Sequence, residues 1–303
     1  MEKFAKTLVC SSIYEAGRCF LAQWMQSLKL AHDEHPFDLL VVTDNLAEPI
    51  ESLSPLTKFI QTQIFRVPSN SRLAVVRQRM LELAFNFSEY DYIVFIDMDD
   101  LLEKVALKKH LENLERCEIS FGDLWLIDEL GTKNGSLFFS NSEIPKSFSK
   151  VDPIIHRNFL GFSNTAIRRE ILEDIPELIP PHLLAVDWWL FTMLLRKGAV
   201  TKKIDMPVSS YRIYDRNLSR LNSVDLRKKF LHRSQIVLEH HSQFLHEQIH
   251  HKAYEKTQIL IKTLRSNDGF SIKLEDYLER GVWWEDVATL ASVMDRRLES
   301  HEK

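Results

Sequence analysis

The chain is poor in the residues that staple or punctuate a fold. Among 303 residues it has three cysteines, Cys10, Cys19 and Cys117. An odd number does not suit a disulfide framework, and no pair has the spacing of a thiolate metal site. A reducing cytoplasm is therefore the expected setting. No stretch reaches the roughly 18 consecutive apolar residues of a spanning helix, which leaves only peripheral membrane contact open, at the inner face. Lys3 and Lys6 are followed by apolar runs that Ser11, Ser12, Glu15 and Arg18 interrupt, so no signal peptide is expected. Basic charge is not in excess either: Lys and Arg number 39 against 43 Asp and Glu, a net charge of −4. That argues against nucleic acid as the main partner. Internal repeats and low-complexity tracts are absent.

What is present describes a soluble globular protein. Hydrophobic residues make up 45% and charged residues 27%, enough for a large core in one or two domains. The chain is organised around Tyr90 to Leu102. Ile93 to Ile96 is a short apolar run of the kind that forms a buried strand. Asp97, Asp99 and Asp100 follow at once, and Asp97-Met98-Asp99 spells an Asp-x-Asp motif. Like charges this dense at a strand end cost free energy unless a cation neutralises them. A hard divalent ion that also contacts phosphate would do so. A solvated acidic turn capping a helix from Leu101 to Asn113 is the plainer alternative.

Around this centre, strand and helix patterns alternate. Thr7 to Ile13 and Phe37 to Thr43 read as strands of a sheet covered on both faces, and Ile64 to Val67 as a shorter one. Apolar spacing predicts helices over Arg18 to Leu30 and Arg72 to Asn86, the second with N-cap candidates at Ser69-Asn70-Ser71. Ile119 to Phe139 reads as β-rich, with turns at Gly131 and Asn134-Gly135, and Ser140 to Pro153 as an irregular loop. Arg168-Arg169 opens a helix, Val186 to Lys197 is a further helix, and Ile204 to Ile213 a late strand. The alternation predicts an α/β sheet with right-handed crossovers. In such sheets ligands bind beyond the carboxyl ends of the strands, where Tyr14-Glu15, Asp44 and Asp97 to Asp100 should converge. Past Asn217 the character changes to long helical segments. A boundary near 220 divides a domain of residues 1–220 from a helical C-terminal extension, 221–303, that ends in an amphipathic helix at Val282 to Leu298. That extension could dock on the acceptor side, form a homo-oligomer or touch a membrane, and Trp283 and Trp284 would suit any of these.

Taken in order, these residues resemble the inverting family 2 glycosyltransferases of GT-A fold over about residues 5 to 220. The resemblance rests on Val9 to Glu15 with Arg18, Asp44, Asn70 with the Arg77 helix, and Phe95 to Asp100. Gly161 with Arg168-Arg169, Asp187-Trp188-Trp189, and Tyr211-Arg212 with Asn217 complete the series. It implies a mostly parallel, Rossmann-like sheet with helices on both faces. It further implies a UDP- or GDP-sugar donor held by Tyr14, Glu15, Asp44, Arg77, Asp97 and Asp99, with Mn²⁺ or Mg²⁺ on Asp99 and Asp100. Asp187 takes the place of the catalytic base, with Trp188, Trp189 and Arg168 on the acceptor side. The acceptor would be a glycan or a lipid-linked glycan, and the setting bacterial surface glycan synthesis.

Two positions depart from the family pattern. Val186-Asp187 supplies one carboxylate where the family has an acidic pair, and Tyr214 stands where a histidine is frequent. Three other functions compete. A non-catalytic nucleotide-sugar-binding scaffold would keep the fold and lose the chemistry. A nucleotidyltransferase would carry a Gly-rich loop after the first strand, where Tyr14-Glu15-Ala16-Gly17 stands. His246-Glu247-Gln248-Ile249-His250 spells HExxH, which on one helix would be a zinc peptidase motif. Its extended form fails at Ala253 and Lys256, and only Glu275 and Glu279 could supply a third ligand.

Overall fold

The computed structural model describes residues 6–44, 53–68, 71–139, 144–173, 175, 179–214, 225–266 and 287–292. Asn70, Asn217, Glu275, Glu279, Trp283 and Trp284 lie outside the described residues, and most of the final helix expected at Val282 to Leu298 does too. The side chain of Asp44 is likewise outside the description.

The chain runs β1 (Thr7–Tyr14), a 3₁₀ turn (Glu15–Phe20), α1 (Leu21–Glu34), β2 (Asp38–Asp44), the single turn α2 (Ser54–Thr57) and β3 (Thr62–Arg66). Next come α3 (Leu73–Asn86), β4 (Tyr92–Phe95), β5 (Leu101–Leu102), α4 (Ala106–Leu114), β6 (Ile119–Ile127), β7 (Lys133–Leu137) and β8 (Ser147–Phe148). β9 (Thr165–Arg168), α5 (Val186–Arg196), β10 (Thr201–Arg212), α6 (Leu226–Ser242) and α7 (Gln248–Arg265) complete the series. One sheet collects all ten strands in the order β3-β2-β1-β4-β9-β6-β10-β5, with β7 added to β6 and β8 to β10. β1 to β4 are mutually parallel. β9 then runs antiparallel between β4 and β6, while β6 and β10 are parallel.

Alternation along the strands explains why both faces are covered. Leu8 and Cys10 of β1, with Leu40 and Val42 of β2, enter an apolar cluster with Val76, Met80 and Leu83 of α3 and the α5 residues. Val9 and Ile13, with Leu39 and Val41, point the other way, onto Leu21, Trp24 and Leu28 of α1 and Leu107 of α4. A strand with period two and two apolar neighbours must be apolar at every position. Each such side chain contributes roughly 1.5–3 kcal/mol when fully buried.

Local departures from the expected elements have simple causes. Leu101 and Leu102 do not begin a helix. They pair antiparallel with Ser210 and Ser209 of β10, and the helix starts at Ala106 once that pairing ends. Gly131, at φ 87°, turns the chain from β6 into β7, whereas Gly135 (φ 81°) falls inside β7. Arg169 opens only a 3₁₀ turn, to Leu172. The long helical stretch after 224 breaks into α6 and α7 around Gln243–Glu247, and the two helices pack on each other and on α5. Phe230, Val237, Phe244, Leu260 and Leu264 join the same apolar cluster as Trp188, Leu190 and Phe191, so these helices share a core with the sheet.

Candidate functional site

The crevice lies where the parallel half of the sheet changes direction. From β1 the chain first builds outward through β2 and β3, then returns to place β4 on the other flank of β1. Crossovers diverge at such a point and leave an opening beyond the carboxyl ends. Tyr14 ends β1 and is in register with Asp44 at the end of β2. Ile96 still donates its N–H to the Cys10 carbonyl at 3.1 Å, after which a turn closes from the Asp100 N–H to the Asp97 carbonyl, also 3.1 Å. Met98 points back, its sulfur 3.1 Å from the Tyr14 N–H. Gly17 lies against this contact. A Cβ there would stand 2.8 Å from the Met98 sulfur and 2.9 Å from the Tyr14 ring, so close packing explains the glycine.

Each aspartate has its own surroundings. Asp97 pairs with Arg77, a buried residue of α3. The Arg77 guanidinium lies over the Phe162 ring at 4.5 Å, and Ser163 Oγ accepts the Asp97 N–H at 3.2 Å. Asp99 accepts the Tyr214 hydroxyl at 2.9 Å. That hydroxyl is 3.4 Å from the Tyr14 hydroxyl, and the Tyr214 ring meets Phe20 edge-on at 4.9 Å. Asp100 is buried, 2% exposed, and accepts the Arg212 backbone N–H at 2.8 Å. The fully buried Arg212 side chain braces the turn: it donates to the carbonyls of Asp99 (2.7 Å), Asp128 (3.1 Å) and Glu129 (2.9 Å), and to Gln23 Oε1 at 2.7 Å.

The electrostatics separates the three carboxylates. Burial, then repulsion from Asp97, pushes the Asp99 carboxyl above its ordinary range. Burial, then Asp99 and Asp97, pushes Asp100 well above it. Oxygens of all three lie within 4.8 Å of one another. Asp97 already has a cation in Arg77. Three carboxylates thus face two guanidinium groups, Arg77 at Asp97 and Arg212 beside Asp99 and Asp100, and the all-oxygen donor set of Asp99 and Asp100 fits a hard divalent cation.

Asp187 stands in the first turn of α5, where its carboxylate accepts the Trp188 N–H at 2.7 Å. A helix N-terminus favours the anion, yet burial outweighs it here. The carboxyl is pushed up to about 7, chiefly by burial, with the Trp188 N–H and Arg77 pulling down and Asp97 pushing up. Asp187 thus lies within the electrostatic reach of the Asp97–Arg77 pair.

Other expected site residues lie elsewhere. Arg168, expected on the acceptor side, pairs with Tyr92 at the amino end of β4, the sheet end away from Asp97. Its Nε donates to the Leu114 carbonyl at the end of α4 (2.7 Å), while Arg169 donates to Phe85 and Tyr90 carbonyls at 3.1 and 2.9 Å. Both arginines bond carbonyls at or near helix ends, a place that favours cations. Trp188 and Trp189 are 0% and 2% exposed, in the core rather than lining an acceptor groove. The Trp188 indole donates to the Ile154 carbonyl at 2.9 Å. Glu15 is exposed and 3.5 Å from Arg18. The HExxH stretch is not on one helix. His246 lies in the turn before α7 and Glu247 is its N-cap residue. His246 contacts Arg196 at 2.8 Å and Glu247 pairs with the same arginine, so the zinc peptidase geometry is absent. Conversely, Phe162 and Ser163 brace the site without any periodic or motif signal of their own, and Arg212, part of the family series, does so without having been assigned a role. Tyr214, noticed only as a departure from the family pattern, is the hydroxyl on Asp99.

By sequence, the chain matches no protein-family model and no curated protein. By structure it is similar to Staphylococcus aureus TarS 1-349 in complex with UDP-GlcNAc, with TM-score 0.58 and 18% identity over 89% of this chain and 77% of that one. It is also similar to the mannosyltransferase PcManGT from Pyrobaculum calidifontis in complex with GDP-Man and Mn²⁺. There the TM-score is 0.58 and the identity 12%, over 98% of this chain and 81% of that one. Against the longer S. aureus TarS structure the TM-score is again 0.58, and the chain spans 46% of its length. The fold is thus a GT-A-like glycosyltransferase fold, a mostly parallel sheet with helices on both faces and C-terminal helices.

Proposed function

We propose that the chain is a metal-dependent, inverting glycosyltransferase that moves a sugar from a UDP- or GDP-sugar to an acceptor hydroxyl. The observation that carries this reading is the meeting of two kinds of carboxylate at one strand-end crevice. Asp99 and Asp100 are two acids crowded together with Asp97 at the turn after β4, and Asp187 is a buried acid within reach of the Asp97–Arg77 pair. The neighbours that bind UDP-GlcNAc, and GDP-Man with Mn²⁺, support the donor class and the metal by analogy of fold.

Bound at Asp99 and Asp100, Mn²⁺ or Mg²⁺ supplies Lewis-acid neutralisation of the diphosphate leaving group. Tyr214 and the Arg212 N–H hold those two carboxylates in place. Asp97, paired with Arg77, accepts from the ribose hydroxyls of the donor. Tyr14, Glu15 and Asp44 flank the nucleoside at the ends of β1 and β2. Asp187 takes the proton of the acceptor hydroxyl as its oxygen forms the new bond to the anomeric carbon. The bond from that carbon to the diphosphate breaks on the opposite face, and configuration inverts. A base pushed up to about 7 suits this task near neutral pH, because it is both substantially ionised and basic enough to accept the proton.

The glycan or lipid-linked acceptor, and a role in bacterial surface glycan synthesis in the cytoplasm, follow from the family resemblance. None of the described helices is long and apolar enough to cross a membrane, which accords with peripheral contact. The test is incubation with a panel of UDP- and GDP-sugars and Mn²⁺. Metal-dependent release of the nucleoside diphosphate that stops in Asp187→Asn supports the enzyme. Donor binding without release under any acceptor mixture would instead support a nucleotide-sugar-binding scaffold.

A further inference from the structure

A second group of metal-ligating side chains lies away from the crevice, between α5, α6 and α7. His240 and His241 end α6, and His250 stands in the first turn of α7. All three are at most 1% exposed. One ring nitrogen from each lies within 4.8 Å of the others, and Nδ1 of His241 is 3.0 Å from Nδ1 of His250. Among the described residues, neither nitrogen of His240 has a hydrogen-bond partner, and Nε2 of His250 has none. A neutral imidazole must offer one donor and one acceptor, and each buried polar group left unmade costs about 1–3 kcal/mol. The orphaned nitrogens of His240, beside the closely spaced Nδ1 atoms of His241 and His250, therefore call for a ligand.

We propose that His240, His241 and His250 form a transition-metal site, with Zn²⁺ as the reference ion, that clamps the α6–α7 hairpin onto α5. Imidazole is the ligand of choice for Zn²⁺ and its neighbours, not for Mg²⁺. Tetrahedral bonds of about 2.0–2.1 Å hold ligand nitrogens about 3.4 Å apart. The His241–His250 separation nearly meets that spacing, and one His240 nitrogen stands within 4.8 Å of both. Burial holds the imidazoles of His240 and His241 neutral, the form that binds metal. With His250 Nδ1 on the ion, its Nε2 faces Glu247 Oε2, 3.9 Å away. Glu247 is itself held by Arg196, a carboxylate–histidine arrangement that orients metal-bound rings. His240 also stacks on Trp188, with centroids 3.9 Å apart and planes 10° apart. The clamp therefore ends on the residue after Asp187. The fourth position is left to water.

The test uses the full chain without a histidine tag, stripped with chelator and then titrated with Zn²⁺ and with Co²⁺. One Zn²⁺ per chain, a Co²⁺ absorption spectrum of four-coordinate nitrogen ligation, and a melting-temperature rise on the order of 5 °C are expected. All three should persist in Asp99→Asn, which separates this site from the aspartate crevice. At least tenfold weaker binding is expected in His250→Gln and in His240→Met, the latter chosen to preserve packing volume. A wild-type chain whose Co²⁺ spectrum stays that of the free aqueous ion, and which retains no Zn²⁺, would overturn the proposal however the variants fold. Donor turnover plays no part in these readouts, so they stand or fall apart from the glycosyltransferase reading.

Discussion

The aspartate crevice and the histidine cluster are both groups of three metal-type ligands, and they differ in how the fold treats their polar atoms. At the crevice each carboxylate has an assigned partner: Arg77 for Asp97, the Tyr214 hydroxyl for Asp99, the Arg212 N–H for Asp100. Two guanidinium groups, of Arg77 and Arg212, face the three carboxylates there, one positive charge too few. In the histidine cluster the charge is already absent, and what is missing are hydrogen-bond partners. A site short of charge calls for a hard divalent cation with phosphate. A site short of donors and acceptors calls for a softer ion held by nitrogen.

The sharpest way to break this contrast is at Asp99. Asp99→Ala should abolish transfer and Mn²⁺-dependent donor binding, a loss of at least about 10²–10³-fold. Calorimetric titration of UDP- and GDP-sugars with and without Mn²⁺ checks it, and unchanged metal-dependent binding would remove Asp99 from the site. Asp187→Asn should lower kcat by about 10²–10⁴-fold while the donor Kd stays put, since Asp187 is assigned to the proton and not to the leaving group. A comparable fall in donor affinity would reassign it.

Stability separates the same residues. Arg77→Met leaves the Asp97 carboxylate unpaired beside Asp99, and chemical denaturation should show a loss of about 3 kcal/mol. Asp187 behaves in the opposite sense. Its folded-state carboxyl lies above the ordinary unfolded value, so any stability it contributes is full below about pH 4 and is lost as pH rises to about 7. Asp187→Asn should therefore gain stability over the parent across that window and hold the gain above it, as thermal melts at several pH values would show. Absence of a pH-dependent difference would mean that the carboxyl is not perturbed. The smallest effect is expected at Arg168: Arg168→Ala loses a bond to the Leu114 carbonyl, about 0.3–1 kcal/mol, with no change in transfer. A changed acceptor KM would return it to the acceptor side.

Much of the sheet was legible in the sequence because a doubly covered strand must be largely apolar or small, and the runs at Thr7 to Ile13, Phe37 to Thr43 and Ile93 to Ile96 are, with Asp38 the one charged residue among them. Helices α1, α3 and α5 followed from apolar spacing in the same way. Of the residues that brace the crevice, Phe162 and Ser163 left no such trace, and Arg212 entered only through the family resemblance, without its role. Arg212 is a charged residue at the end of β10 whose guanidinium satisfies carbonyls far apart in sequence, and only the folded chain brings Asp99, Asp128 and Glu129 to it. Trp188, Trp189 and Arg168 show the converse. Residue type suggested sugar stacking and anion binding, while position put the first two in the core and the third at a helix end. The HExxH spelling also failed for a positional reason. The chain turns before Glu247, which leaves His246 exposed and sends His250 inward to meet His240 and His241. Apolar periodicity did not single out the histidines that turn inward.

The central claim is that Asp99 and Asp100 hold the leaving group while Asp187 moves the proton. The most direct test is the pH dependence of the single-turnover transfer rate at saturating donor and Mn²⁺, with the parent compared to Asp187→Asn. The account predicts a parent rate that falls about tenfold per pH unit below an apparent pKa near 7, and a residual Asp187→Asn rate without that limb. The same acid limb in Asp187→Asn, at a rate near the parent's, would contradict it.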